Sequence, residues 1–214
     1  MDPRAAVAPA EPKPAGGGAA PADQSRADVA RSRLRLLALP LVGLPLALSA
    51  YFALTASSGP VFFHAHPLAM TLAFVTAAGL ATLFKKVGGL VNTRIHGYLM
   101  FGMSALAAAG GWVIWENKET FARPHLTTLH GQAGAALLLA AVPYPLLAWL
   151  LYNPDNGVKN KDPLWRTVHK WSGRSLVLGA FLLIFSGVYK LEPDPLKAAA
   201  IIGALALLLP FLVV

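Results

Sequence analysis

The chain has 214 residues and no cysteine. Disulfides, thiolate metal sites, iron–sulfur clusters and cysteine nucleophiles are therefore excluded. Charge is scarce too. Asp, Glu, Lys and Arg make up 13% of the residues, against the ~25% of a typical soluble domain. The acidic residues number 10 against 18 basic ones, for a net charge of +8. None of the acids falls inside the long apolar runs, so a carboxylate metal cage or a carboxylate proton relay at membrane depth lacks its material. The basic residues are not interleaved with aromatics on one polar face. They sit in short segments between apolar runs, the pattern of a membrane protein with cationic loops rather than of a nucleic-acid binder.

What is present is apolar: 56% of the chain is hydrophobic. Residues 1–32 are the exception, rich in Ala, Pro and Gly, and read as a disordered tail. No cleavable signal peptide is evident in it. Residues 33–214 read as one transmembrane domain, all-α. Six apolar stretches fall near 34–56, 60–84, 93–115, 126–151, 164–189 and 195–214, each close to the ~20 residues that cross a bilayer core as a helix. The breaks between them are Ser57-Ser58-Gly59-Pro60, Lys85 to Gly89, Glu116 to Pro124, Asn153 to Pro163 and Glu192 to Pro195. Pro40 and Pro45 predict a kink in the first stretch. With the N-terminus inside, 14 of the 18 Lys and Arg lie on the inner side. The positive-inside rule then places both termini in the cytoplasm.

All six histidines lie in or beside these stretches, where an ionisable residue defaults to a functional reading. His66 and His130 open the second and fourth helices, which start outside. At ~1.5 Å per residue both sit about 9 Å below the outer surface. His96 and His169 lie just inside the third and fifth helices, which start inside. Two facing imidazoles at one depth suit haem iron, which has two axial positions. Zinc wants three or four ligands, and each level offers two strong ones. Small residues, Gly131 and Gly134 beside His130, Gly173 after His169 and Gly187 five turns further on, would let a flat macrocycle approach, and they equally serve ordinary helix packing. Two such levels would stand about 15–20 Å apart along the bilayer normal, which makes an electron wire without an ion pathway. His64 lies on another helical face from His66 and reads as an interfacial residue.

Several segments then resemble the eukaryotic cytochrome b561 family, most closely its short stand-alone, tumour-suppressor-like type. They are His66-Pro67-Leu68-Ala69-Met70, Arg94-Ile95-His96, His125 through Gly134, and His169-Lys170-Trp171-Ser172-Gly173. The resemblance implies a four-helix dihaem core formed by helices two to five, with two haem b groups. It assigns His66 and His130 to the non-cytoplasmic haem iron, and His96 and His169 to the cytoplasmic one. It further implies homodimers in the lipid bilayer that carry electrons from cytoplasmic ascorbate to monodehydroascorbate or ferric chelates. The best-studied members read Ser, Leu, His, Ser, Trp where this chain has Thr128-Leu129-His130-Gly131-Gln132. They also carry an arginine motif where this chain has Leu83-Phe84-Lys85-Lys86-Val87.

Ascorbate is an anion, so its site would use cations at the inner surface. Lys85, Lys86 and Arg94 lead, although inner basic loops also serve topology alone. Arg123 and His125 are the matching candidates outside. Two other functions stand beside this one: a dihaem relay subunit serving a partner redox protein, and a haem-free scaffold or transporter.

Overall fold

A computed structural model describes residues 21–55, 61–159 and 161–213. Among them all regular structure is helical. Six helices are long and apolar enough to cross a membrane: α1 (Ser25–Thr55), α2 (Phe63–Val87), α3 (Leu90–Thr120), α4 (Leu129–Tyr152), α5 (Pro163–Leu191) and α6 (Pro195–Val213). They run up and down. The end of the bundle where α1 starts is called proximal below, and the end where α1 finishes distal.

The expected stretches are met, with longer ends. The helix of α1 begins at Pro21, so residues 21–32, expected as tail, are helical. Proline is well placed in a first helical turn, and Ala, Gln and Arg continue a helix readily. Residues 1–20 of the expected tail, and the break at Ser57-Ser58-Gly59-Pro60, lie outside the described residues. Glu116–Thr120, expected in a connection, form the last turn of α3, and Lys85 to Val87 end α2. Polarity ends the apolar run in both places without ending the helix. The turn between α2 and α3 is left to Gly88 and Gly89, at φ 81° and 83°, a left-handed conformation that glycine adopts without strain.

Side chains fix the remaining starts. Thr128 caps α4 by accepting from the Gly131 amide at 3.1 Å. Asp162 and Asp194 cap α5 and α6, each followed by a proline at the first helical position, the arrangement that suits both residues. The prolines in α1 lie within a continuous helix. Pro45 has no N–H for the carbonyl of Leu41, four residues earlier. Thr76 of α2 donates to that carbonyl at 2.6 Å instead, and Leu41 is fully buried. Thr76 lies in a π-helical segment of α2, Leu72–Ala77.

α2 is central: half of its most apolar window is buried, against 11% for α4. One apolar cluster joins it to α1, α5 and α6 through Leu41, Phe52, Val75, Leu83, Phe181 and Leu205. A second joins α2 to α3, α4 and α5, and it is built largely of alanine: Ala73, Ala77, Ala107, Ala141 and Ala180, with Phe74 and Met103. Small residues let these four helices approach closely. Large side chains point outward instead, such as Leu39, Leu139 and Leu207 at 80%, 78% and 73% exposure, as suits a lipid-facing surface. α1 and α6 therefore flank a closer unit formed by α2 to α5.

Candidate functional site

His96 and His169 meet at the proximal level. Their ring centroids are 6.3 Å apart with planes at 88°. A metal bonded to one nitrogen of each ring at about 2 Å, with each centroid roughly 1 Å behind its nitrogen, needs about this separation. His66 and His130 lie within electrostatic reach of each other at the distal level.

Each of the four rings is held through Nδ1. His66 Nδ1 lies 2.9 Å from the Gly110 carbonyl oxygen of α3, and His96 Nδ1 lies 3.0 Å from the Ala81 carbonyl oxygen of α2. A carbonyl only accepts, so Nδ1 carries the proton in both rings and Nε2 keeps its lone pair. His130 Nδ1 lies 2.7 Å from Ser186 Oγ on α5. That hydroxyl also lies 2.9 Å from the Leu183 carbonyl oxygen, and donating there leaves its oxygen free to accept from His130. His169 Nδ1 lies 3.0 Å from the hydroxyl of Tyr144 on α4. Tyr144 is 2.6 Å from Ser172 Oγ, which donates to the Val168 carbonyl at 2.7 Å. The phenol proton has two acceptors, Ser172 Oγ and the His169 carbonyl oxygen at 3.2 Å, and either choice leaves its oxygen free to accept from His169 Nδ1. All four rings are thus held through Nδ1: the carbonyls fix the tautomer of His66 and His96 with Nε2 available to a metal, and the hydroxyls beside His130 and His169 can accept in the same way.

The arrangement repeats. α2 and α3 exchange histidine bonds through backbone carbonyls. α4 and α5 exchange them through side-chain hydroxyls. One turn after the histidine, α2 and α3 carry Met70 and Met100, whereas α4 and α5 carry Gly134 and Gly173. A Cβ added at Gly134 or Gly173 would meet no atom within 4 Å, so the helix surface beside those two rings is clear. Gly187 sits against His130, where an added Cβ would lie 3.5 Å from Cε1. Among the described residues no group of three or more His, Cys, Asp or Glu is placed to share a metal. The donor set is imidazole pairs, with open faces beside them. It suits a planar group that supplies its own equatorial ligands and takes two axial nitrogens.

The candidate substrate residues separate. Lys85 lies within electrostatic reach of His96 and His169 and donates to Thr93 Oγ1 at 2.9 Å. Lys86 turns toward the other side of α2 and donates to the Phe211 carbonyl of α6 at 2.7 Å. Arg94 contacts both carboxylate oxygens of Asp155 at 2.9 Å. At the distal end His125 stacks on Trp115, centroids 3.9 Å apart, and bonds to Glu119 at 2.7 Å. Arg123 lies over the Phe121 ring at 5.8 Å. Ala122 and Leu126, on either side of His125, have φ of 48° and 52°, uncommon for residues other than glycine. Tyr144, Ser186, Asp155, Trp115 and Glu119 join these groups only in the fold, and Ser172 was named only within the His169 segment. For Tyr144 and Ser186 a signal was there, a polar side chain within an apolar run.

The sequence matches the eukaryotic cytochrome b561 family over residues 65–192, a range that includes all four histidines. It is also similar to the transmembrane reductase CYB561D2 of Mus musculus, 29% identical over 160 residues that cover 64% of this chain and 68% of that protein. The six-helix bundle, the paired imidazoles and this match agree, and the chain belongs to the eukaryotic cytochrome b561 family.

Proposed function

We propose that the protein carries electrons across a membrane through two haem b groups, one held by His66 and His130, the other by His96 and His169. The observation that carries this reading is that all four rings are bonded through Nδ1, an arrangement that leaves Nε2 to face a metal. Haem held there by these four histidines would supply a reversible one-electron iron couple. The chain's part is to orient the imidazoles, to fix their tautomer and to enclose the path in apolar helices. The excess of basic residues at the proximal end supports a cytoplasmic placement of that end and of both termini.

On this reading ascorbate gives up one electron and one proton at the proximal surface. At the distal surface monodehydroascorbate gains one of each, or a ferric chelate gains the electron alone. Lys85, beside the proximal pair, is the best placed of the three inner cations to attract the ascorbate anion. Asp155 offsets the charge of Arg94, and Lys86 faces away. His125 and Arg123 serve the acceptor at the other end. The reductase name of the mouse relative agrees with this chemistry.

The test is transfer across a sealed membrane. Purified protein in liposomes, with ascorbate trapped inside and a ferric chelate outside, is expected to produce ferrous iron outside. Protein whose haems are reduced by dithionite but not by ascorbate would instead be a relay for a partner redox protein.

A further inference from the structure

We infer that the hydroxyls of Ser186 and Tyr144 set the reduction potentials of the two haems separately, one for each. The inference rests on the haem reading above and gives the two hydroxyls that hold His130 and His169 an electronic effect besides orientation. Each pair of histidines combines one ring bonded to a backbone carbonyl with one bonded to a hydroxyl. His66 and His96 take the carbonyls of Gly110 and Ala81 at 2.9 and 3.0 Å. His130 and His169 take Ser186 and Tyr144 at 2.7 and 3.0 Å. The carbonyl partners belong to helix backbones and are chemically alike at both levels. The hydroxyl partners differ, an aliphatic alcohol at the distal level and a phenol at the proximal one.

A bond donated from Nδ1–H pushes electron density into the ring and makes Nε2 a stronger donor to a metal. That favours the ferric state and lowers the potential. With Nε2 given to a metal, Nδ1 of each ring carries the proton, and both hydroxyls then accept. Ser186 has the Leu183 carbonyl at 2.9 Å for its own proton, and Tyr144 has the His169 carbonyl at 3.2 Å or Ser172 Oγ at 2.6 Å, with Ser172 in turn 2.7 Å from the Val168 carbonyl. Where Tyr144 donates to Ser172 and Ser172 to Val168, each donor strengthens the next acceptor. The Tyr144 ring also lies parallel to that of His169, at 1° and 5.7 Å, so the phenol fixes the plane of the ligand as well as its basicity. Ser186 and Tyr144 are positioning residues, acting through His130 and His169.

The experiment is a potentiometric titration of purified dihaem protein, with electron paramagnetic resonance of the oxidised form. Tyr144→Phe is expected to raise one of the two midpoints and to change one of the two low-spin signals. Ser186→Ala is expected to raise the other midpoint and to change the other signal. Ser172→Ala should move the same midpoint as Tyr144→Phe by a smaller amount, and it keeps the test open if the phenylalanine variant does not fold. Tyr152→Phe is the control. Its ring centroid is 4.6 Å from that of His169, the ring is kept, and neither midpoint should move. Variants that retain both haems with both midpoints unmoved, or that shift both together, would overturn the inference. A wild-type protein with fewer than two haems would overturn the haem reading itself, and this inference with it.

Discussion

Lys85 and Lys86 are neighbours in sequence and part company in space. The helix turns by about 100° between them, which carries Lys85 toward His96 and His169 and Lys86 toward α6. Lys85→Ala is expected to raise the ascorbate concentration for half-maximal haem reduction about fivefold, the scale of a ~1 kcal/mol charge contact. Lys86→Ala should leave it near the wild-type value. Stopped-flow reduction at constant ionic strength checks both. Equal effects of the two variants would point to a diffuse surface charge rather than to a contact. The histidines were legible from sequence because an imidazole is rare within an apolar run. Their partners Tyr144 and Ser186 were not, because a partner depends on which helix faces which, and spacing along one helix does not carry that. Asp155 illustrates the same limit: it lies far from Arg94 in sequence, and only the fold brings its carboxylate within 2.9 Å to offset that cation.

Between helices, a few polar contacts tie α1 to the rest. The bond from Thr76 to the Leu41 carbonyl replaces the one that Pro45 removes. Thr76→Val keeps the volume and leaves a buried carbonyl unpaired, at a cost of about 1–3 kcal/mol. A lower melting temperature in detergent is expected for Thr76→Val, and a value near wild type for Thr76→Ser. A second tie is the bond from the Tyr51 hydroxyl to Glu192, at the end of α5. That bond first, and the Asp194 amide second, hold the Glu192 carboxyl below its ordinary value of 4.5. A depressed carboxylate contributes stability that is fully present above the ordinary value and is lost as pH falls through the depressed one. Glu192→Gln should therefore lower the melting temperature at pH 7 and leave the variant closer to wild type in acid, measured as melting temperature against pH. A gap between the two proteins that does not narrow toward low pH would contradict this role. Run length and turn residues made the six helices legible. Their ends were less so, since Glu116–Thr120 leave the apolar stretch and stay in the helix. The interruption of α4 at Val142 and Pro143 was not foreseen, although the proline was in view.

Taken whole, the core is two antiparallel helix pairs that repeat one device. In α2 with α3 the histidines bond across to carbonyls, and in α4 with α5 they bond across to hydroxyls. Placed together, the pairs set one histidine of each kind at either level. The sorting of the histidines into two levels was legible from the alternation of helix direction. The repeat in their bonding was not, because backbone carbonyls leave no mark in sequence. The absence of cysteine also makes sidedness simple to measure. Single cysteines placed at Lys159 and at Lys118 should react with an impermeant maleimide from opposite faces of sealed vesicles, Lys159→Cys from the cytoplasmic one. The central claim is that four histidines hold two haems, and it is tested most directly by the haem-to-protein ratio of the purified protein beside its single-histidine variants. Two haems per chain are expected for the wild type and for His64→Ala, and one for each of His66→Ala, His96→Ala, His130→Ala and His169→Ala in protein that remains folded. A wild type that holds fewer than two haems after supplementation, or four variants that keep the full complement, would contradict it.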